Sequence, residues 1–202
     1  MIVAVLGASG NAGSEITREL ARRGHHVRAI ARHPEKIPSG GGITRLAGDA
    51  QDPEALAQLI GGVDAVVSAL HFDVTADTLL AALRTAGVER LLVTGGAASL
   101  EVAPGLRLID SPEFPAEWRA FAMGGIAFLD ALRGVDDIDW TFFSPAALIE
   151  PGPRTGQYRI GTDTLVTDDA GVSRISFADY AIAMVDELEA HRYPRARFTA
   201  AY

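Results

Sequence analysis

Three glycines, Gly7, Gly10 and Gly13, stand directly behind the apolar run Met1-Ile2-Val3-Ala4-Val5-Leu6. A buried strand that ends in Gly7-Ala8-Ser9-Gly10-Asn11-Ala12-Gly13 and passes at once into a helix can reverse tightly. It also lets a diphosphate approach bare backbone. Amide groups and the positive end of the helix then face the anion. Gly7, Ser9, Gly10, Asn11, Ala12 and Gly13 are the candidate residues for that contact.

Further candidates lie behind the later strands. Arg32 follows the second strand, nineteen residues beyond Gly13, where sites that take NAD carry an acid for the ribose 2′-hydroxyl. No Asp or Glu occurs between Glu19 and Glu35. A guanidinium there suits a 2′-phosphate instead, so NADP(H) is the expected cofactor, with NAD(H) as the lesser partner. A solvated strand-end arginine is the plainer alternative. Asp49 and Ala50 follow the third strand and could meet an adenine, or simply turn the chain. Ala69 and Leu70 follow the fourth, where small residues admit a ribose or only a tightly packed helix. His71 comes next, as a candidate acid or a polar loop residue. Behind the fifth strand, Gly95 and Gly96 would give a flat nicotinamide room and Ser99 offers a hydroxyl. Pro145 and Ala146, behind the sixth, would border the carboxamide.

Those positions need elements to hold them, and the pattern supplies alternating strands and helices. Strands are expected at Ile2–Leu6, His26–Ala31, Ile43–Ala47, Asp64–Leu70, Arg90–Gly95, Trp140–Ser144 and Arg197–Ala201. A first helix carries Ile16, Leu20 and Ala21 and stops at Gly24. Asp52 caps a second that has Pro53 in its first turn. A third spans Thr78–Ala86 up to Gly87, and a fourth carries Phe121, Phe128, Leu129 and Leu132. Ser176 and Asp179 read as a capping box opening the last. Ala97–Pro115 is long and irregular, and pieces around Tyr158 and Leu165 suggest a cap or hairpin. The expected architecture is an α/β single domain, a doubly wound parallel sheet over 1–202. Residues 146–202 add a small cap and the last strand. Ligands of such sheets bind at the carboxyl ends of the strands.

Composition narrows the partners. At 202 residues and 48% hydrophobic content the chain can bury a full core. A net charge of -8 argues against nucleic acid and anionic membranes. There is no cysteine, so disulfides, thiol nucleophiles and Cys-held metals are out, and no metal site is expected. The first apolar run breaks at Gly7 without a basic leader, and nothing approaches the ~18 apolar residues of a membrane span. A cytoplasmic location is expected, and a homodimer is compatible with it.

Taken together, MIVAVLGASGNAG, ARHPEK, GDAQDPEAL, GVDAVVSAL, RLLVTGGAASLEVAPG, DWTFFSPAALIEPG and SRISFADYA resemble the atypical short-chain dehydrogenase/reductases. Within that group the chain is similar to NmrA-like NAD(P)H-binding proteins, biliverdin reductase B-type flavin reductases and bacterial NADH–flavin reductases. The resemblance runs nearly end to end. It implies a Rossmann fold and a nicotinamide cofactor.

The departures are as informative. The superfamily's usual acid is a Tyr-x-x-x-Lys pair with a serine after strand five. Here Lys36 is the single lysine and no tyrosine stands four residues before it. Gly96-Ala97-Ala98 occupies the serine's place, and Ser99 comes late. The expected function is therefore hydride transfer to an electron-poor planar acceptor, a free flavin (FMN or FAD as substrate, not prosthetic group) or a quinone. Phe72, Trp118, Phe121 and Tyr158 are candidate pocket walls, or else ordinary core. Arg154 and Arg159 could grip a flavin phosphate, or lie solvated. Two other readings stand beside this one: a non-catalytic NADP(H)-binding redox sensor, and a carbonyl or enone reductase with His71 or Ser99 as its weak acid.

Overall fold

The computed structural model describes every residue from Met1 to Tyr202. The strands are, in chain order, β1 (Ile2–Leu6), β2 (His26–Ala31), β3 (Ile43–Ala47), β4 (Ala65–Ser68), β5 (Arg90–Thr94), β6 (Glu101–Ala103), β7 (Leu106–Arg107), β8 (Asp139–Ser144), β9 (Leu148–Glu150), β10 (Arg159–Gly161), β11 (Arg174–Ser176) and β12 (Ala196–Ala201). Helical spacing forms α1 (Asn11–Arg22), α2 (Pro53–Ile60), α3 (Ala76–Ala86), α4 (Arg119–Arg133) and α5 (Phe177–Ala190).

Eight strands make one sheet in the order β3-β2-β1-β4-β5-β8-β12-β10, parallel except for β10. Both faces are covered, which is why β1 and β4 read as continuous apolar runs. Val3 and Val5 of β1 point into the core beneath α1 and α5. Ala4 and Leu6 point into the core beneath α2, α3 and α4. The chain starts at β1, winds outward through β2 and β3, then returns to β4. The gap between β1 and β4 at their carboxyl ends is the switch point, where such sheets take ligands.

The caps follow the local chemistry. The Asp52 carboxylate accepts the N–H groups of Glu54 and Ala55, at 3.1 and 3.0 Å, and so fixes the start of α2. Gly87 ends α3 in the left-handed conformation, φ 68°. The α3 start differs from expectation. Thr75 accepts the Thr78 N–H at 3.2 Å, so the helix opens at Ala76 rather than Thr78.

Two expectations beyond Pro145 are corrected. The segment after Tyr158 is no free hairpin. Arg159–Gly161 pairs antiparallel with β12 and closes that edge of the main sheet. The cap is instead the small parallel pair β9–β11, and the Ala97–Pro115 stretch contains the β6–β7 hairpin. The capping box at α5 is half a box. Ser176 accepts the Asp179 N–H at 3.0 Å, but the Ser176 N–H goes to the Tyr202 hydroxyl. The Asp179 carboxylate is fully buried and accepts the Thr155 and Gly156 N–H groups at 2.8 Å, with the hydroxyls of Thr155 and Tyr202. That carboxylate ties a strap, residues 151–158, onto α5. No helix is long and apolar enough to cross a membrane.

Candidate functional site

The turn between β1 and α1 is shaped by close backbone approaches. Gly7 has φ +73°, and a β-carbon there would overlap the Ala69 carbonyl of the neighbouring β4 end. A β-carbon on Gly13 would overlap the Gly7 carbonyl, so the first turn of α1 sits hard against the end of β1. Gly10 is looser, with the Gly7 carbonyl oxygen 3.3 Å from its β position.

The hydrogen bonds of this turn leave donors over. The N–H groups of Gly7 and Ala8 both go to the Ile30 carbonyl at 3.0 and 3.2 Å, and that of Gly10 to the Gly7 carbonyl at 3.0 Å. The N–H groups of Ser9, Asn11, Ala12 and Gly13 have no acceptor within the chain. No side chain caps α1, and its first turn holds no acid. The helix end is therefore a concentration of unmatched positive dipole.

A cleft of about 210 Å³ opens at this point. Gly7, Ser9 and Gly10 form its floor, and Arg32, Asp49 and Ala50 line one side. Ala69, Leu70 and His71 line the other. Arg32 is exposed and makes no ion pair or hydrogen bond with the protein. Its lack of a partner contrasts with Arg28 on the preceding strand β2, which donates to the Leu59 and Gly61 carbonyls. One Asp49 oxygen accepts the Gln51 N–H at 3.0 Å, so this residue turns the chain while still facing the cleft. Ile30, His33, Gln51, Asp73 and Val74 also line the cleft, and the sequence pattern does not single them out. Asp73 carries a usable signal, its place two residues past His71 on the loop that β4 delivers to the switch point.

The remaining sequence candidates are placed elsewhere. Asn11, Ala12 and Gly13 form the first turn of α1 but are not among the residues that line the cleft. Gly95 is glycine because a β-carbon would run into the Phe142 ring, a packing cause rather than space for a nicotinamide. Gly96, Pro145 and Ala146 do not line the cleft, and Ala146 is core beneath α5. Ser99 reaches sideways over the sheet, where its hydroxyl accepts from Arg197 Nη1 at 2.8 Å.

Among the expected pocket walls, Phe72 is packed inward between Phe128 and Phe142, at centroid distances of 5.6 and 6.5 Å. Gly124 and Gly125 of α4 make way for that ring. Tyr158 donates to Asp186 halfway down α5, far from the carboxyl edge. Burial and the Asp186 carboxylate push its hydroxyl well above the usual tyrosine range. Trp118 and Phe121 remain exposed, and Phe121 meets the His71 ring edge to face.

The two strap arginines are likewise committed to the fold. Arg154 pairs with buried Glu19 at 2.9 Å. Burial alone would raise the Glu19 carboxyl, yet hydrogen bonds and charge from Arg154 and Arg23 outweigh it and hold the carboxyl below its usual range. Arg159 donates to the Thr167 and Tyr202 carbonyls.

A doubly wound sheet with a phosphate-ready turn at its switch point defines a dinucleotide-binding protein. The residues fit such a ligand: the glycines open the approach, four unbonded amides cluster at the turn, and an unpaired arginine lines the same cleft. The chain belongs to the NAD(P)H-binding family, whose model matches residues 7–188. It is 43% identical to the uncharacterized protein YwnB of Bacillus subtilis, covering 98% of this chain and 97% of that one. A Bacteroides thetaiotaomicron structure provisionally named an epimerase superposes with a TM-score of 0.93 at 41% identity, covering 100% and 96% of the two chains. A Streptococcus pneumoniae structure provisionally named an NADH-flavin reductase gives 0.87 at 34% identity, covering 100% and 99%.

Proposed function

We propose that the protein is an NADP(H)-dependent reductase of a flat conjugated acceptor, a free flavin or a quinone. The observation that carries this reading is the set of four unmatched amides at the start of α1, of which that of Ser9 borders the same cleft as unpartnered Arg32. The amides suit the diphosphate and the guanidinium suits a 2′-phosphate. The provisional name of the Streptococcus pneumoniae relative points the same way for the acceptor.

When bound, the reduced nicotinamide supplies one hydride, two electrons and a proton together, and a further proton from solvent completes the reduced acceptor. The chain's own part is to bind, orient and shield. It offers no tyrosine acid. The hydroxyls of Tyr158, Tyr180 and Tyr202 donate to Asp186, the Phe143 carbonyl and Asp179, Tyr193 stacks on Phe198 outside the cleft, and Lys36 is exposed beside β2. An acceptor that needs no strong acid fits that inventory, since a quinone or flavin is itself electron-poor.

The test is NADPH oxidation followed optically with FMN, FAD and a set of quinones. Turnover with at least one is expected. Binding of NADPH without turnover would instead favour the redox-sensor reading, which gains from the absence of any paired acid and base in the cleft. Turnover confined to carbonyls or enones, lost in His71→Ala, would favour the third reading.

A further inference from the structure

The apolar stripe of α4 runs past the end of the core. Gly125, Phe128, Leu129 and Leu132 recur at helical spacing, and all four are buried against the sheet. The same stripe continued backward falls on Phe121, four residues before Gly125, and points on to Trp118, in the 3-10 turn Ala116–Trp118 that leads into α4. Yet Trp118 is 58% exposed and Phe121 47%. The helix runs antiparallel to the strands, from the loops behind β5 down to the start of β8, so its first turn overhangs the carboxyl edge. Phe72, on the loop behind β4, packs under Gly124 and Gly125 and marks that level. Phe121 rests on Phe72 and His71, each at a centroid distance of 5.7 Å, yet keeps about half its surface open, and Trp118 one turn earlier is more open still. They are continuous with the cleft, because His71 lines it and meets Phe121 edge to face at 5.7 Å.

We propose that Trp118 and Phe121 form an overhanging shelf that stacks on the planar ring of the acceptor. This inference rests on the proposed function and names the surface that selects the substrate class. A conjugated ring matches two exposed aromatics better than an aliphatic carbonyl substrate would, since offset stacking adds to simple burial. It selects for ring area rather than for any particular substituent.

The experiment uses the intact protein with menadione and FMN. Trp118 is the exposed one of the two tryptophans, Trp140 being buried, so its emission reports on the shelf without turnover. Saturable quenching by menadione is expected, and loss of that saturable component in Trp118→Phe. In kinetics, Trp118→Ala and Phe121→Ala should each raise the acceptor KM roughly tenfold. The NADPH dissociation constant should stay unchanged, and Trp118→Phe should keep most of the activity. Met123→Ala, exposed on the same helix but off the stripe, should behave as wild type. Unchanged KM in both alanine variants, or merely linear quenching, overturns the shelf. Saturable quenching with no turnover of any acceptor would sink the reductase reading and leave the shelf standing.

Discussion

Gly13 and Gly7 are pressed together so closely that only hydrogen atoms fit between the first turn of α1 and the Gly7 carbonyl. This contact brings the amino end of the helix to the switch point. Gly13→Ala should therefore lower thermal stability and dinucleotide affinity together, because the helix must move out. Gly10→Ala meets its neighbour at 3.3 Å and should leave the melting temperature within a few degrees while weakening NADPH binding. Calorimetric titration alongside thermal melts separates the two. Equal stability losses in both variants would count against this account of the turn.

Arg32 has no partner in the fold, so its removal should not affect stability. A charge-assisted hydrogen bond is worth about 1.5–3 kcal/mol. Arg32→Ala should weaken NADPH roughly tenfold to a hundredfold and leave NADH nearly unchanged. Equal affinities for the two cofactors in the wild type would refute the NADP preference.

Glu19 and Glu189 both have carboxyls held below their usual range, against the opposing effect of burial, by Arg154 and Arg23 in one case and His25 and Arg23 in the other. A carboxylate with a depressed folded pKa adds stability above its unfolded value, about 4.3, and loses it as pH falls further. The melting temperature should thus drop steeply below about pH 4.3, and Glu19→Gln should flatten that drop while lowering stability at neutral pH. A Glu19→Gln profile parallel to wild type would contradict this linkage.

Asp179 holds the 151–158 strap through the Thr155 and Gly156 amides and the Thr155 hydroxyl, and it also accepts from the Tyr202 hydroxyl. Asp179→Asn replaces an acceptor-only group with one that brings its own donors to the same amides. A loss of about 2–4 kcal/mol in denaturant unfolding is expected, in line with leaving buried partners unmet. Faster proteolysis within 151–158 should accompany it. Intact strap protection in the variant would show that other contacts suffice.

Local signals are legible in the residue order. The glycine turn, the Asp52 and Gly87 caps and the parallel strand runs depend on neighbours within a few residues. Side-chain destinations are not. Phe72 and Trp118 read alike as aromatics near strand ends, but one fills the space left by Gly124 and Gly125 and the other stands over the edge. Arg154 reads like a free cation, yet Glu19, 135 positions away, claims it. Pairings across such separations leave no periodic trace in a single chain.

The order of residues by itself set the alternation of strands and helices, the bare backbone at Gly7–Gly13 and the absence of a Tyr–Lys acid. These follow from dihedral freedom, hydrophobic period and simple counting. Only the tertiary structure decided which arginines stay unpaired, which hydroxyls are already engaged and where the α4 stripe outruns the sheet. Those outcomes depend on what each side chain meets once the layers close, and the layers close through contacts far apart along the chain.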